Sequence, residues 1–161
     1  MTAGERRVTR RLRCAADGLQ DLHMPDLPLT GGCLCAGVRY EVTELPQFAS
    51  YCHCTRCQRR TGCGAAASAR IVPGSLRVVS GDELIKVFEP PDGFGKAFCS
   101  GCGSALWSVD PGSGQPAGVR LGTFDSDPGV RPSFHTYTAY AAAWEPIVDD
   151  LPQYPEARPA G

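Results

Sequence analysis

Seven cysteines constrain this chain more than anything else in it. They stand as Cys33-x-Cys35, Cys52-x-Cys54-x2-Cys57 and Cys99-x2-Cys102. Zinc takes four tetrahedral ligands, with thiolate sulfur at about 2.3 Å, so a segment that supplies two sulfurs must turn sharply back on itself. Gly31 and Gly32 before the first pair, and Gly101 and Gly103 around the last, permit that turn. The two outer pairs, Cys33 with Cys35 and Cys99 with Cys102, complete a closed four-thiolate set from distant parts of the chain, which is the signature of a structural ion. The middle cluster offers three thiolates within six residues and leaves a fourth position to something else. Three protein ligands and an open place is the arrangement of a catalytic zinc. His53, His135 or Cys63 could instead close that site. His53, flanked by two ligands, is expected to point away from them, to the surface or to a place behind the ligands. Thiolate sets also accept iron; zinc is expected, at two ions per chain.

Charge counting suggests a use for the open position. Three thiolates on a divalent ion leave a net charge of about -1, a poor Lewis acid beside an ion held by three neutral imidazoles. A fourth, exogenous thiolate would be deprotonated by the metal yet remain nucleophilic. Cys52, Cys54 and Cys57 are therefore the candidate catalytic residues, binding a small thiol and presenting its sulfur to an electrophile. Arg56, Arg59 and Arg60 lie among and after them, most commonly as solvated charges on a short helix, otherwise as partners for the carboxylates of an anionic thiol or as an offset to the thiolate charge.

The rest of the chain points to one mainly β domain. Its 161 residues are enough for one core, and 19 Gly with 14 Pro break it into short segments. Val38, Tyr40 and Val42 alternate against Arg39 and Glu41, as in a half-buried strand. Further strands are expected at 48–52, 65–71, 84–88, 96–99, 105–109, 119–124 and 133–140. One short helix is expected at Thr55–Thr61, ended by Gly62. Residues 1–28 read as a flexible extension, 29–150 as the zinc-binding domain and 151–161 as a loosely attached tail. Nine cysteines in a chain with no apolar leader argue for a reducing cytoplasm rather than a secreted disulfide scaffold. A pI near 6.3 and a net charge of -1 give no pull toward nucleic acid, and no apolar run reaches the length of a membrane span.

Taken together, Gly32-Cys33-Leu34-Cys35, Cys52-His53-Cys54 with Cys57-Gln58-Arg59-Arg60-Thr61-Gly62, and Phe98-Cys99 with Cys102-Gly103 resemble the glutathione-dependent formaldehyde-activating family. Leu121-Gly122-Thr123-Phe124-Asp125, the stretch 132–135, Trp144 and Asp150-Leu151-Pro152 are similar to its C-terminal part, so the resemblance covers residues 30–154. It implies a β-tent fold of packed antiparallel sheets with few short helices. It further implies a structural zinc on Cys33, Cys35, Cys99 and Cys102, and a catalytic zinc on Cys52, Cys54 and Cys57. The implied activity is that of a carbon-sulfur lyase joining glutathione to formaldehyde. One departure stands out: where many relatives carry a bulky aromatic after Thr61-Gly62, this chain has the uniformly small Cys63-Gly64-Ala65-Ala66-Ala67.

Overall fold

A computed structural model describes residues 24–159. Among them, ten strands form two sheets with one α-helix between strands. The smaller sheet is antiparallel, in the order β1 (Leu29–Gly32), β2 (Arg39–Val42), β5 (Leu76–Ser80). The alternation read from the sequence holds in β2, where Tyr40 and Val42 are buried and Arg39 and Glu41 half-buried. Tyr40 sits at the centre of the core, its ring edge-on to Trp107 at 5.7 Å and to Phe124 at 6.0 Å. Its hydroxyl is paired with Thr123 Oγ1 at 2.7 Å, which removes the cost of burying it.

Glycine is required at position 31, because a Cβ there would overlap the Tyr40 ring and the Thr123 carbonyl. Gly31→Ala should therefore cost about 1–3 kcal/mol or more of stability. The check is a lower urea midpoint at constant slope; an unmoved midpoint would mean that Tyr40 can withdraw freely.

The larger sheet runs β10 (Pro132–Thr136), β3 (Phe48–Cys52), β4 (Ala66–Arg70), β9 (Pro116–Arg120), β8 (Ala105–Val109), β7 (Gly95–Cys99), β6 (Ile85–Phe88). Leu106, Val119 and Ala97 from this sheet, with Ile71 just after β4, meet Tyr40 and Val42 of the smaller one and Val38 just before β2 in a single core. The expectation of antiparallel pairing fails at one place, since β10 and β3 are parallel. No hairpin joins them: almost the whole domain lies between, so no tight turn reverses their direction.

The helix α1 (Thr55–Thr61) ends as read from the sequence, with Gly62 left-handed at φ 70° and its N–H on the Gln58 carbonyl. Two expected strands are shorter at their C-terminal ends, because 3-10 turns occupy Leu121–Thr123 and Thr138–Tyr140. β1 and β5 were not anticipated; the former runs into the glycines of the first cysteine turn, and Val78-Val79 blurs alternation in the latter.

Residues 152–156 of the tail are hydrogen-bonded to β10 and the turn after it. His135 N–H donates to the Pro152 carbonyl, Tyr154 N–H to His135, and Tyr137 N–H to Glu156, at 2.8–3.0 Å. Pro152 and Pro155 lack an amide hydrogen but fall where only a carbonyl is needed, a tolerated pattern at a sheet edge. Cys14 and the rest of 1–23 lie outside the described residues. No helix among the described residues is long and apolar enough to cross a membrane.

Candidate metal centres

The outer cysteine pairs meet where the two sheets join. Cys33 leaves β1 in a tight turn in which Cys33 N–H bonds to the Val38 carbonyl and Ala36 N–H to the Cys33 carbonyl, with Ala36 held at φ 58°. Cys99 ends β7, and Gly103, at φ 77°, returns its N–H to the Cys99 carbonyl. The four sulfurs of Cys33, Cys35, Cys99 and Cys102 all lie within 4.8 Å of one another. Cys33 and Cys35 are 3.5 Å apart, Cys35 and Cys99 3.9 Å. Sulfurs at about 2.3 Å from one tetrahedral ion would be about 3.8 Å apart, so this donor set fits a metal. Amide and hydroxyl donors already favour negative sulfur. Val38 N–H reaches Cys33 Sγ at 3.2 Å, and the Ser104 hydroxyl, 3.2 Å from Cys102 Sγ, joins backbone amides in holding that thiol down to about 5.

The middle cluster forms at the junction of strand and helix. Cys52 is the last residue of β3, Cys54 is the N-cap of α1, and Cys57 lies in its first turn, buried. Cys54 Sγ accepts from Cys57 N–H at 3.4 Å, so one candidate ligand is also the helix cap. The three sulfurs lie within 4.8 Å of one another, and among the described residues no fourth Cys, His, Asp or Glu ligand atom joins them. Donation from the Cys52 and Cys54 thiols draws Cys57 far down, and the same contacts push Cys52 up. Arg120 and Lys96 strengthen the pull on Cys57.

Those cations were not evident from the sequence. Arg120 is buried at the end of β9, where it donates to Ser68 Oγ at 2.6 Å. Of the alternatives for Arg60, the solvated one does not hold: it is half-buried and donates to the Ala97 and Trp107 carbonyls at 2.5 and 3.1 Å. Burial and the neighbouring Arg120 lower it to about 10. One nitrogen of each guanidinium is buried without an acceptor. Three thiolates on a divalent ion would leave a negative charge, and this cationic bed supplies the balance.

The three residues weighed as a fourth ligand lie elsewhere. His53 points away from the cluster as expected, but it is buried rather than at the surface. Its Nε2 meets His135 Nδ1 at 2.8 Å, and His135 Nε2 meets Asp149 at 3.0 Å. The parallel pairing of β3 with β10 brings His135 against it, a contact that local spacing could not reveal. Cys63 is exposed, its sulfur 3.6 Å from the Thr61 carbonyl.

The cysteine trio opens onto a cavity of about 970 Å³, which the four-cysteine cluster does not line. Phe48, Phe94 and Phe134 form apolar walls, and Arg70, Lys96 and Arg158 bring charge to it. Tyr137 lines it too, in a left-handed backbone conformation at φ 57° and ψ 38° that is uncommon for a non-glycine residue and concentrates at functional positions. Burial and the Cys52 and Cys54 sulfurs raise its hydroxyl, which keeps its proton.

A family model described as glutathione-dependent formaldehyde-activating enzyme matches residues 28–140, the stretch that contains all seven clustered cysteines. A curated protein of Halomonas elongata, named as a candidate glutathione-dependent formaldehyde-activating enzyme, is 34% identical over 89 residues. That alignment covers 52% of this chain and 57% of the relative, so the chain matches little more than half of the relative's length. A crystal structure of a Rhodobacter sphaeroides protein is similar at 32% identity, covering 65% of this chain and 92% of that one, with a TM-score of 0.47. With the family match spanning well over half of its residues, the chain belongs to the glutathione-dependent formaldehyde-activating enzyme family.

Proposed function

We propose that this protein is a zinc-dependent carbon-sulfur lyase that joins a small thiol to an aldehyde, with glutathione and formaldehyde as the pair and S-hydroxymethylglutathione as the product. One observation carries the reading: the three-cysteine cluster, with no fourth protein ligand among the described residues, opens onto the cavity, whereas the four-cysteine cluster does not line it. Cys33, Cys35, Cys99 and Cys102 hold the structural ion, Cys52, Cys54 and Cys57 the catalytic one, within a working domain of residues 29–150. A reducing cytoplasm is the setting that keeps such thiols free for metal.

Bound zinc supplies a place where a thiol is held in its deprotonated, nucleophilic form. The chain's own residues do the rest. The bed of Arg120, Arg60 and Lys96 offsets the thiolate charge, and the aromatic walls exclude water and hold the aldehyde beside the sulfur. The sulfur lone pair adds to the carbonyl carbon, the carbon-oxygen π pair moves onto oxygen, and oxygen takes up a proton equivalent to the one the thiol lost. Tyr137, which lines the cavity and retains its hydroxyl proton, is the proton donor in this reading.

The test is thiol-dependent loss of free formaldehyde by protein loaded with two zinc ions. Glutathione should accelerate it above the uncatalysed rate. Tyr137→Phe should lower kcat/KM by about a hundredfold while zinc content stays unchanged. Fully loaded protein that accelerates nothing and binds no added thiol would be a two-metal binding module instead.

A further inference from the structure

The cavity has a second end, away from the cysteines. Phe48, Ser50 and Cys52 alternate along β3 and all three line it, so this strand is its floor. From Cys52 to Phe48 is four residues, or about 13 Å at ~3.3 Å per residue. Two guanidiniums, those of Arg70 and Arg158, line the cavity beyond the cysteines. Arg70 is the register partner of Phe48 across the β3–β4 ladder, so the two side chains share a face. Arg158, from the tail, lies over the Phe134 ring at 4.8 Å and the Phe48 ring at 5.9 Å. Arg70 is held in the same way over Phe94, at 5.8 Å.

Among the described residues neither guanidinium has a salt-bridge partner, although Asp110 feels the charge of Arg70 through space. The acidic residue of the cavity lining, Asp92, is already paired with Arg56 at 2.6 Å. Lys96 differs, because it faces the thiolates of the cysteine cluster. A guanidinium stacked on an aromatic ring keeps its in-plane N–H fork free, and that fork matches a carboxylate.

We propose that Arg70 and Arg158 form a distal carboxylate clamp, which fixes the far end of a peptide-like thiol whose sulfur lies at Cys52, Cys54 and Cys57. The inference rests on the thiol-binding reading of that cluster. It assigns a role in specificity to the C-terminal tail, which lies beyond the segment matched by the family model. The strand sets the ruler. A free cysteine carries its carboxylate only a few bonds from sulfur, whereas a γ-linked or α-linked tripeptide thiol with a central cysteine carries one about a residue further out, ~3.3–3.6 Å or more, and the long arginine side chains reach across the remaining distance. Neutral thiols such as 2-mercaptoethanol can meet the cluster but gain nothing from the clamp.

The experiment combines binding and kinetics on the zinc-loaded full chain. S-methylglutathione, which keeps both carboxylates but has no thiol to ionise, is titrated by calorimetry into wild type, Arg158→Gln and Arg70→Gln. Each substitution should weaken binding about tenfold. In the condensation assay each should raise KM for glutathione by a similar factor with kcat nearly constant, and leave KM for 2-mercaptoethanol unmoved. Arg158 is exposed, so its variant serves even where Arg70→Gln folds poorly. Failure of wild type to bind S-methylglutathione, unchanged affinity in Arg158→Gln, or an equal penalty for the neutral thiol would overturn the clamp. An inactive wild type that still loses S-methylglutathione affinity on Arg158→Gln would overturn the proposed reaction and leave the clamp standing.

Discussion

Cys99→Ser should yield no soluble folded protein. Cys99 is fully buried at the end of β7 and touches both the candidate ion site and the core around Tyr40 and Trp107. The ion on its cluster would bind the turn after β1, in the smaller sheet, to the β7–β8 turn of the larger one, so it fastens the two sheets together. Structural zinc contributes an apparent ~10–16 kcal/mol in small domains, against a total stability of ~5–15 kcal/mol for a whole domain. Serine offers a hydroxyl that coordinates zinc poorly and leaves a polar group in an apolar place. Soluble yield, far-ultraviolet circular dichroism and elemental analysis check the outcome. A soluble variant that keeps one zinc and melts near wild type would mean that sheet packing alone holds the domain.

The gathering of the cysteines was legible because ligand spacing is local. A pair of cysteines two or three positions apart, flanked by glycine, makes sense without knowledge of anything distant, and two incomplete pairs imply each other across 64 residues. The helix was equally local: Gly62 supplies the left-handed residue that ends it, and Cys54 supplies the cap. What could not be read is whatever strand register brings together. Lys96 on β7, Arg120 on β9 and Arg70 on β4 look like ordinary alternating charges in sequence, and only the order of the large sheet turns them toward Cys57 and the cavity. His53 shows both sides of this limit. Its position between two ligands gave the direction of its side chain, but its burial depends on His135, which arrives from β10. The tail misled for a related reason. Three prolines suggest a loose end, yet carbonyls accept hydrogen bonds as well from proline as from any residue, and Pro152 and Pro155 do so.

Cys54→Ser should behave in the opposite way to Cys99→Ser: folded, soluble, holding about one zinc, and reduced in activity by more than about a hundredfold. The structure gives two reasons why the fold survives. Cys52, Cys54 and Cys57 span six residues of continuous chain, so an ion there closes a very short loop and adds little tertiary connection. Cys54 also caps α1 through its sulfur at 3.4 Å from Cys57 N–H, and serine is among the best N-cap residues, so the helix keeps or improves its first turn. The buried Arg120 and the half-buried Arg60 would face a weaker negative cluster, which should lower the melting temperature without unfolding the domain. The decisive comparison is metal content against activity in the two variants. One zinc retained with condensation lost would separate a structural from a catalytic ion. Full activity in Cys54→Ser, or equal unfolding of both variants, would remove that division, because a fastening ion and a reacting one cannot fail in the same way for these different reasons.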